Sequence, residues 1–236
     1  MRLRYFIALG LLAACQKTPS NTAQIAVATN FYSAAQALEA EFEAQTNYDV
    51  TLSFGSTGLH YAQITQGAPF DVFLAADQFR PAQLMDEGHA VSTVTYAQGV
   101  LVLWNGDRET LADSLPISGF NTLALANPAL APYGQAAQQA IESSGFSVKK
   151  KIIGENVGQA YSFVATGHTE WGFVALSQVL GRTENYMPVA ESLYDPILQD
   201  AALLTSGTDN EAAAAFYKFL QSDRAKAIIR DKGYVL

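Results

Sequence analysis

Charge is scarce in this chain of 236 residues. Only 15% of positions are Asp, Glu, Lys or Arg, and 22 acidic residues against 14 basic ones leave a net charge of −8. With no basic stripe to displace condensed counterions, nucleic acid is excluded as a partner. Cysteine is nearly missing as well: Cys15 stands alone, so no intramolecular disulfide framework can form. The histidines, His60, His89 and His168, are scattered, and none sits at a zinc-ligand spacing. Walker-type and dinucleotide-binding glycine loops are absent, and no cofactor is called for. What the chain has is apolar bulk: 49% hydrophobic residues, with 13 Phe and 11 Tyr. That content excludes a disordered or collagen-like chain and suits one large domain or two small ones.

The amino terminus reads as an address. Arg2 and Arg4 precede an apolar run from Tyr5 to Ala14, too short to span a bilayer but suited to a signal-peptide core. The run ends in Leu12-Ala13-Ala14-Cys15, which resembles a bacterial lipoprotein signal. Residues 1–14 are then removed, and the thiol and new amine of Cys15 take acyl chains, enough on one residue for stable anchoring. The other reading is an ordinary signal peptide cut near Ala14, with the cysteine incidental. Loss of Arg2 and Arg4 leaves a body of 222 residues at −10. Residues 15–24 are polar, contain Pro19 and lack apolar periodicity, so they read as a lipid-anchored tether. The expected location is extracytoplasmic, in a periplasm or on a cell surface.

Beyond the tether the chain alternates. Ile25 to Ala28 is a short apolar strand followed by Thr29 and Asn30, good helix-capping types, and Ala35, Leu38 and Phe42 recur behind them at helical spacing. Val50 to Phe54 is a second strand ending in Gly55-Ser56-Thr57-Gly58, with a helix over Leu59 to Gln66. Asp71 to Ala76 reads as a buried strand before a helix that closes at Gly88. Further strands are expected at Val100 to Trp104, Leu123 to Ala126, Lys151 to Ile153, Trp171 to Ala175 and Ala201 to Leu204. Helices are expected up to about Ser144, from near Glu155, and from about Asn210 to Lys232. Such alternation predicts an α/β fold, a parallel or mixed sheet with helices on both faces.

At Thr29-Asn30, Ser56-Thr57 and Gly154 to Val157, strands end in small polar residues that also open helices. In open α/β sheets ligands gather beyond the strand carboxyl ends, where helix N-termini offer free amides and partial positive charge. One such end is an ordinary cap; three together suggest an anion site. Catalytic patterns are weak by comparison. Phe54 stands where a serine nucleophile elbow needs its first glycine, and Asp77 reads as a helix cap rather than a general acid.

Several segments, in this order and spacing, resemble the substrate-binding proteins of molybdate ABC importers. They are Ala28-Thr29-Asn30-Phe31, Ser53 to Ile64, Gly67 to Phe73 with Ala75-Ala76-Asp77, Asn127-Pro128 with Tyr133-Gly134, Gly154 to Val157, Phe163 to Gly167, and Trp171 to Val179. The resemblance runs over nearly all of residues 24–236. It implies a two-lobed, periplasmic-binding-protein-like α/β fold, with residues 25–95 and 195–236 in lobe 1, 96–194 in lobe 2, and the ligand in the cleft between. Carried over position by position, it implies ligand contacts from Asn30 and Thr57, with Thr29 and Ser56 close by, and from Tyr133 and the backbone amide of Val157. Some members carry a tyrosine where this chain has Ala175, so the Tyr133 hydroxyl is expected to stand in for it. Molybdate or tungstate, a tetrahedral dianion that only accepts hydrogen bonds, would then meet only donors: amides, the Asn30 side-chain NH₂ and the two hydroxyls.

The implied partners are an ABC transporter permease with its ATPase and, through the anchor, a membrane; a monomer is the simplest assembly, and no enzymatic activity is implied. The alternatives left open are a binding protein for another oxyanion or a small organic anion, a lipid-anchored hydrolase using Ser56, and an interaction module without a small ligand.

Overall fold

A computed structural model describes residues 21–106, 119–181 and 186–236. The signal segment 1–14 and Cys15 lie outside the described residues. Ten strands and eight α-helices are found among those described. In chain order they are β1 (Thr22–Ala28), α1 (Tyr32–Gln45), β2 (Asp49–Gly55), α2 (Thr57–Thr65), β3 (Val72–Leu74), α3 (Phe79–Asp86), β4 (Ala90–Gly99) and β5 (Leu101–Trp104). There follow β6 (Phe120–Ala126), α4 (Pro132–Ser144), β7 (Val148–Gly154), α5 (Val157–Ala165), β8 (Trp171–Ala175), α6 (Leu176–Val179), β9 (Tyr186–Pro188), β10 (Ile197–Leu204), α7 (Glu211–Phe219) and α8 (Asp223–Asp231). A 3₁₀ turn, Thr29–Phe31, joins β1 to α1.

The strands form two mixed sheets of five, ordered β2-β1-β3-β10-β4 and β7-β6-β8-β5-β9. In the first, β1, β2 and β3 run parallel and β10 antiparallel to β3 and β4; in the second, β6, β7 and β8 are parallel and β5 opposes β8 and β9. This is the two-lobed α/β architecture. The period of two along each strand decides which helices cover which face. Ala23, Ile25 and Val27 of β1 pack with Ala35, Leu38 and Phe42 of α1, Phe216 of α7 and Ile229 of α8. Ala26, between them in sequence, faces the other way, into a cluster with Ile64 of α2, Phe73 of β3 and Leu84 of α3. The second sheet repeats the logic: Leu101 and Leu103 join α4 through Ala136, Ala137 and Ala140, whereas Val102 and Trp104 join α5 through Ala160 and Val164. Each lobe therefore buries both faces of its sheet under helices, which fixes the strand ends where the lobes meet.

Three expectations shift. The tether is shorter than residues 15–24, because Thr22, Ala23 and Gln24 already pair in β1 with Asp49, Val50 and Thr51. The strand β4 went unread, since Ser92, Thr93, Thr95 and Gln98 interrupt its apolar pattern, yet it is the longest strand described and stays in the first sheet to Gly99. An expected division at 95/96 thus falls inside a continuous strand. Only Val100 separates β4 from β5, and the second crossing, from β9 to β10, spans residues 189–196.

Candidate functional site

All six residues expected at a ligand surround one small pocket, with about 190 Å³ of atom-free space, at the junction of the two sheets. Thr29 and Asn30 come from the turn after β1, Ser56 and Thr57 from the start of α2, Tyr133 from α4 and Val157 from α5. Ala28, Gly55, Ala76, Ala131, Pro132 and Asn156 complete the wall, and no lining residue carries a formal charge.

The hydroxyls are set as donors. Ser56 is the N-cap of α2, and its Oγ accepts the Leu59 N–H at 3.3 Å. Thr57 Oγ1 accepts the Ala76 N–H at 3.0 Å, and Thr29 Oγ1 accepts the Gly158 N–H at 3.4 Å. A hydroxyl whose oxygen already serves a backbone amide keeps its own proton for another acceptor. The helix ends supply more. In α2 the amides of Gly58, Leu59 and His60 bond to Leu130 O, Ser56 Oγ and Ser56 O, which leaves that of Thr57. Pro132 opens α4 without an N–H, and Gly134 and Gln135 both bond to Ala131 O, which leaves Tyr133. In α5 the Asn156 side chain takes the Gln159 N–H and its carbonyl takes that of Ala160, while Gly158 is held by Thr29, which leaves Val157. The amides of Thr57, Tyr133 and Val157 thus stand at three helix N-termini around one space, each end carrying about half a positive charge.

The side chains of Asn30 and Tyr133 are placed differently from the three hydroxyls. The Asn30 side chain does not reach for a ligand: its Nδ2 donates to Gln199 Oε1 at 2.9 Å and to Tyr234 Oη at 3.1 Å, which uses both of its hydrogens. The Tyr133 hydroxyl lies beside Gly99, where an added Cβ would come within 2.1 Å of it, and beside Gln199 Nε2; neither Gly99 nor Gln199 lines the pocket. Burial, with the neighbouring Tyr234, Tyr96 and Tyr194 adding to it, pushes the Tyr133 hydroxyl well above the ordinary tyrosine range, so it stays protonated.

Under the pocket floor, Gln199 Oε1 also accepts from Tyr96 Oη at 3.2 Å, and Tyr234 Oη donates to Asn30 O at 2.7 Å. Sequence reading missed this layer, because its members are up to 204 residues apart and each looks like an ordinary core residue alone. Ser56 and His60 do not form a catalytic pair. Both ring nitrogens of His60 are engaged, Nδ1 with Gln63 at 3.0 Å and Nε2 with Val27 O at 3.2 Å, under the Gly55 backbone. Among the described residues no cluster of His, Cys, Asp or Glu is arranged to hold a metal ion. No described helix is long and apolar enough to cross a membrane.

Comparisons with known proteins agree with this geometry. Residues 23–235 match the family described as bacterial extracellular solute-binding proteins. The chain is 44% identical to the molybdate-binding protein ModA of Rhodobacter capsulatus, over 89% of this chain and 86% of that protein. It is 43% identical to the ModA of Azotobacter vinelandii, over 99% of this chain and 97% of that one. The solved structure of the Azotobacter vinelandii periplasmic molybdate-binding protein superposes with a TM-score of 0.81 at 34% identity, covering 91% of this chain and 99% of that one. Two helix-covered sheets meeting at a pocket walled by neutral donors, and a family match over all but the ends of the chain, place this protein among the bacterial extracellular solute-binding proteins.

Proposed function

We propose that this protein binds a tetrahedral oxyanion, molybdate or tungstate, outside the cytoplasm and delivers it to an ABC transporter permease with its ATPase. The observation that carries the reading is the donor set: three hydroxyls already accepting backbone amides, and three helix-terminal amides, face one uncharged pocket. The amide of Asn30, second in its 3₁₀ turn, adds a further donor. A dianion that accepts at every oxygen satisfies such a wall, and hydrogen bonds to a charged acceptor contribute about 1.5–3 kcal/mol each. Together they offset the cost of stripping water from the ion. The absence of charge in the wall suits discrimination. A protonated oxyanion such as hydrogen phosphate brings a donor with no acceptor to meet it, and the smaller sulfate leaves donors unpaired at about 1–3 kcal/mol each. The names of the two relatives at 44% and 43% identity support the same ligand.

Lobe 1 is then residues 22–99 with 197–236, and lobe 2 is residues 101–188. Ligand held by Ser56 and Thr57 from one side and Tyr133 and Val157 from the other favours the closed arrangement through its greater affinity for it. Cleavage before Cys15 and acylation there would hold the body at a membrane surface. The deciding test is a thermal-shift and calorimetric screen of molybdate, tungstate, sulfate and phosphate. At a hundred times the dissociation constant a true ligand stabilises by about 2.7 kcal/mol. A molybdate response no greater than that of sulfate would refute the reading.

A further inference from the structure

The lobes touch each other beside the pocket through residues that do not line it. Arg80, in the first turn of α3, has its guanidinium fixed by Asp77: Nη1 pairs with Asp77 Oδ2, and the Arg80 amide bonds to Asp77 Oδ1 at 2.9 Å. Its free Nη2 reaches across and donates to the carbonyl of Ala129, in the loop before α4, at 3.0 Å. One residue further along that loop, Leu130 O accepts the Gly58 N–H from α2 at 2.8 Å. The loop is itself stiffened, since Asn127 Oδ1 takes the Ala129 N–H at 3.0 Å and Asn127 O takes the amides of Leu130 and Ala131. Gly58 permits the approach, because a Cβ there would lie 3.0 Å from Leu130 O and 3.2 Å from Arg80 Nη2.

We infer that Arg80, held by Asp77, is a closure latch: a positioning residue that stabilises the closed lobes by gripping the Ala129 carbonyl, without touching the ligand. Arg80 does not line the pocket, and its side chain is only 18% exposed although it belongs to a surface helix. The ion pair with Asp77 lies within one lobe and persists whether the cleft is open or shut. The bond to Ala129 O exists only when it is shut, so it contributes to closure and not to the stability of either lobe. The guanidinium fork suits the task, because separate nitrogens serve the carboxylate and the carbonyl at once, which a single ammonium does poorly. Closure energy from protein–protein contacts tightens ligand affinity by raising the fraction of molecules ready to hold it.

This inference rests on the binding-protein reading but is tested apart from it. In the full chain, hydrogen exchange is followed in the segment containing Gly58, whose amide is covered only in the closed state, with and without molybdate. Arg80→Ala is expected to speed that exchange about fivefold, the low end of typical coupling, and to raise the molybdate dissociation constant by a similar factor, mainly through faster release. Arg80→Lys, which keeps the pairing with Asp77 and guards against a folding defect in the alanine variant, should fall between. Unchanged Gly58 exchange in both variants overturns the latch. A wild-type protein indifferent to molybdate would overturn the oxyanion reading instead, and the exchange comparison would still decide the latch.

Discussion

Asn30 and Gln199, 169 residues apart, share a hydrogen bond of 2.9 Å from Nδ2 to Oε1 at the edge of the candidate pocket. Gln199 is fully buried and Asn30 nearly so. Replacing Asn30 by Asp would set a carboxylate against Gln199 Oε1 and remove both donors. Stability should drop by about 2–3 kcal/mol. Gln199→Leu strips one of two acceptors from Asn30 Nδ2, while the Tyr96 hydroxyl keeps the Ala75 carbonyl at 2.9 Å, and should cost about 1–3 kcal/mol as well as weaken molybdate binding, although Gln199 does not line the pocket. Urea denaturation and calorimetric titration of the two variants measure both effects.

Thr57 has two duties. Its oxygen holds the Ala76 amide, and its proton is proposed for the ligand. Thr57→Val should therefore remain folded with a loss of about 1–3 kcal/mol, and should weaken molybdate binding at least tenfold, since one lost charge-assisted bond is worth that much. Thr57→Ser, which keeps the hydroxyl, should recover most of the affinity. Equal affinity in valine and wild-type proteins would remove Thr57 from the site.

Gly58→Ala places a methyl group against the Leu130 carbonyl across the lobes, at 3.0 Å. Within its own lobe the methyl meets only the flexible end of Arg80, at 3.2 Å, so the melting temperature without ligand should move little. Closure must strain or stop short, and overpacking of this kind costs about 1–3 kcal/mol, roughly a 5- to 150-fold loss of molybdate affinity. Small-angle scattering on the loaded protein should show a radius of gyration nearer to that of the empty protein than wild type gives.

His60 gives the fold a pH dependence whose sign follows from burial. Desolvation lowers its pKa below 6.5, outweighing the bonds to Gln63 and to the Val27 and Ser53 backbone, which raise it. The unfolded chain takes up the proton near 6.5 while the folded chain resists. The stability this withholds is complete above that value and drains away as pH falls through the folded pKa, by at most about 1.4 kcal/mol per pH unit. His60→Gln should flatten the fall in urea midpoint between about pH 7 and pH 5. Parallel curves for the two proteins would contradict this.

Much of the fold could be read from runs such as Val50–Phe54 and Trp171–Ala175, where apolar stretches end in capping residues. The strand β4 escaped because four of its ten residues are Ser, Thr or Gln, and what makes it a strand is the antiparallel pairing with β10, a segment of sequence far downstream. The caps Ser56 and Asn156 were legible by type, since such residues cap helices in any context. The division of labour around the pocket was not. Whether the Asn30 amide faces a ligand or the core depends on Gln199 and Tyr234, and whether the Tyr133 hydroxyl is available depends on Gly99. No local spacing encodes those partners. The Gly58–Leu130 and Arg80–Ala129 contacts are hidden for the same reason, because each joins a side chain or amide to a carbonyl that every residue possesses.

The position of β10 between β3 and β4 bears on the order in which the chain can assemble. The second sheet is built from one unbroken stretch, residues 101–188, and its strands are all present early. The first sheet must wait for residues 197–204, because without them β3 and β4 have open edges and nothing joins them. During synthesis from the amino terminus the second sheet therefore has its strands before the first is complete, and the pocket between them is the last thing to exist. A chain stopped short of Ile197 would present bare strand edges, the kind that pair with other chains.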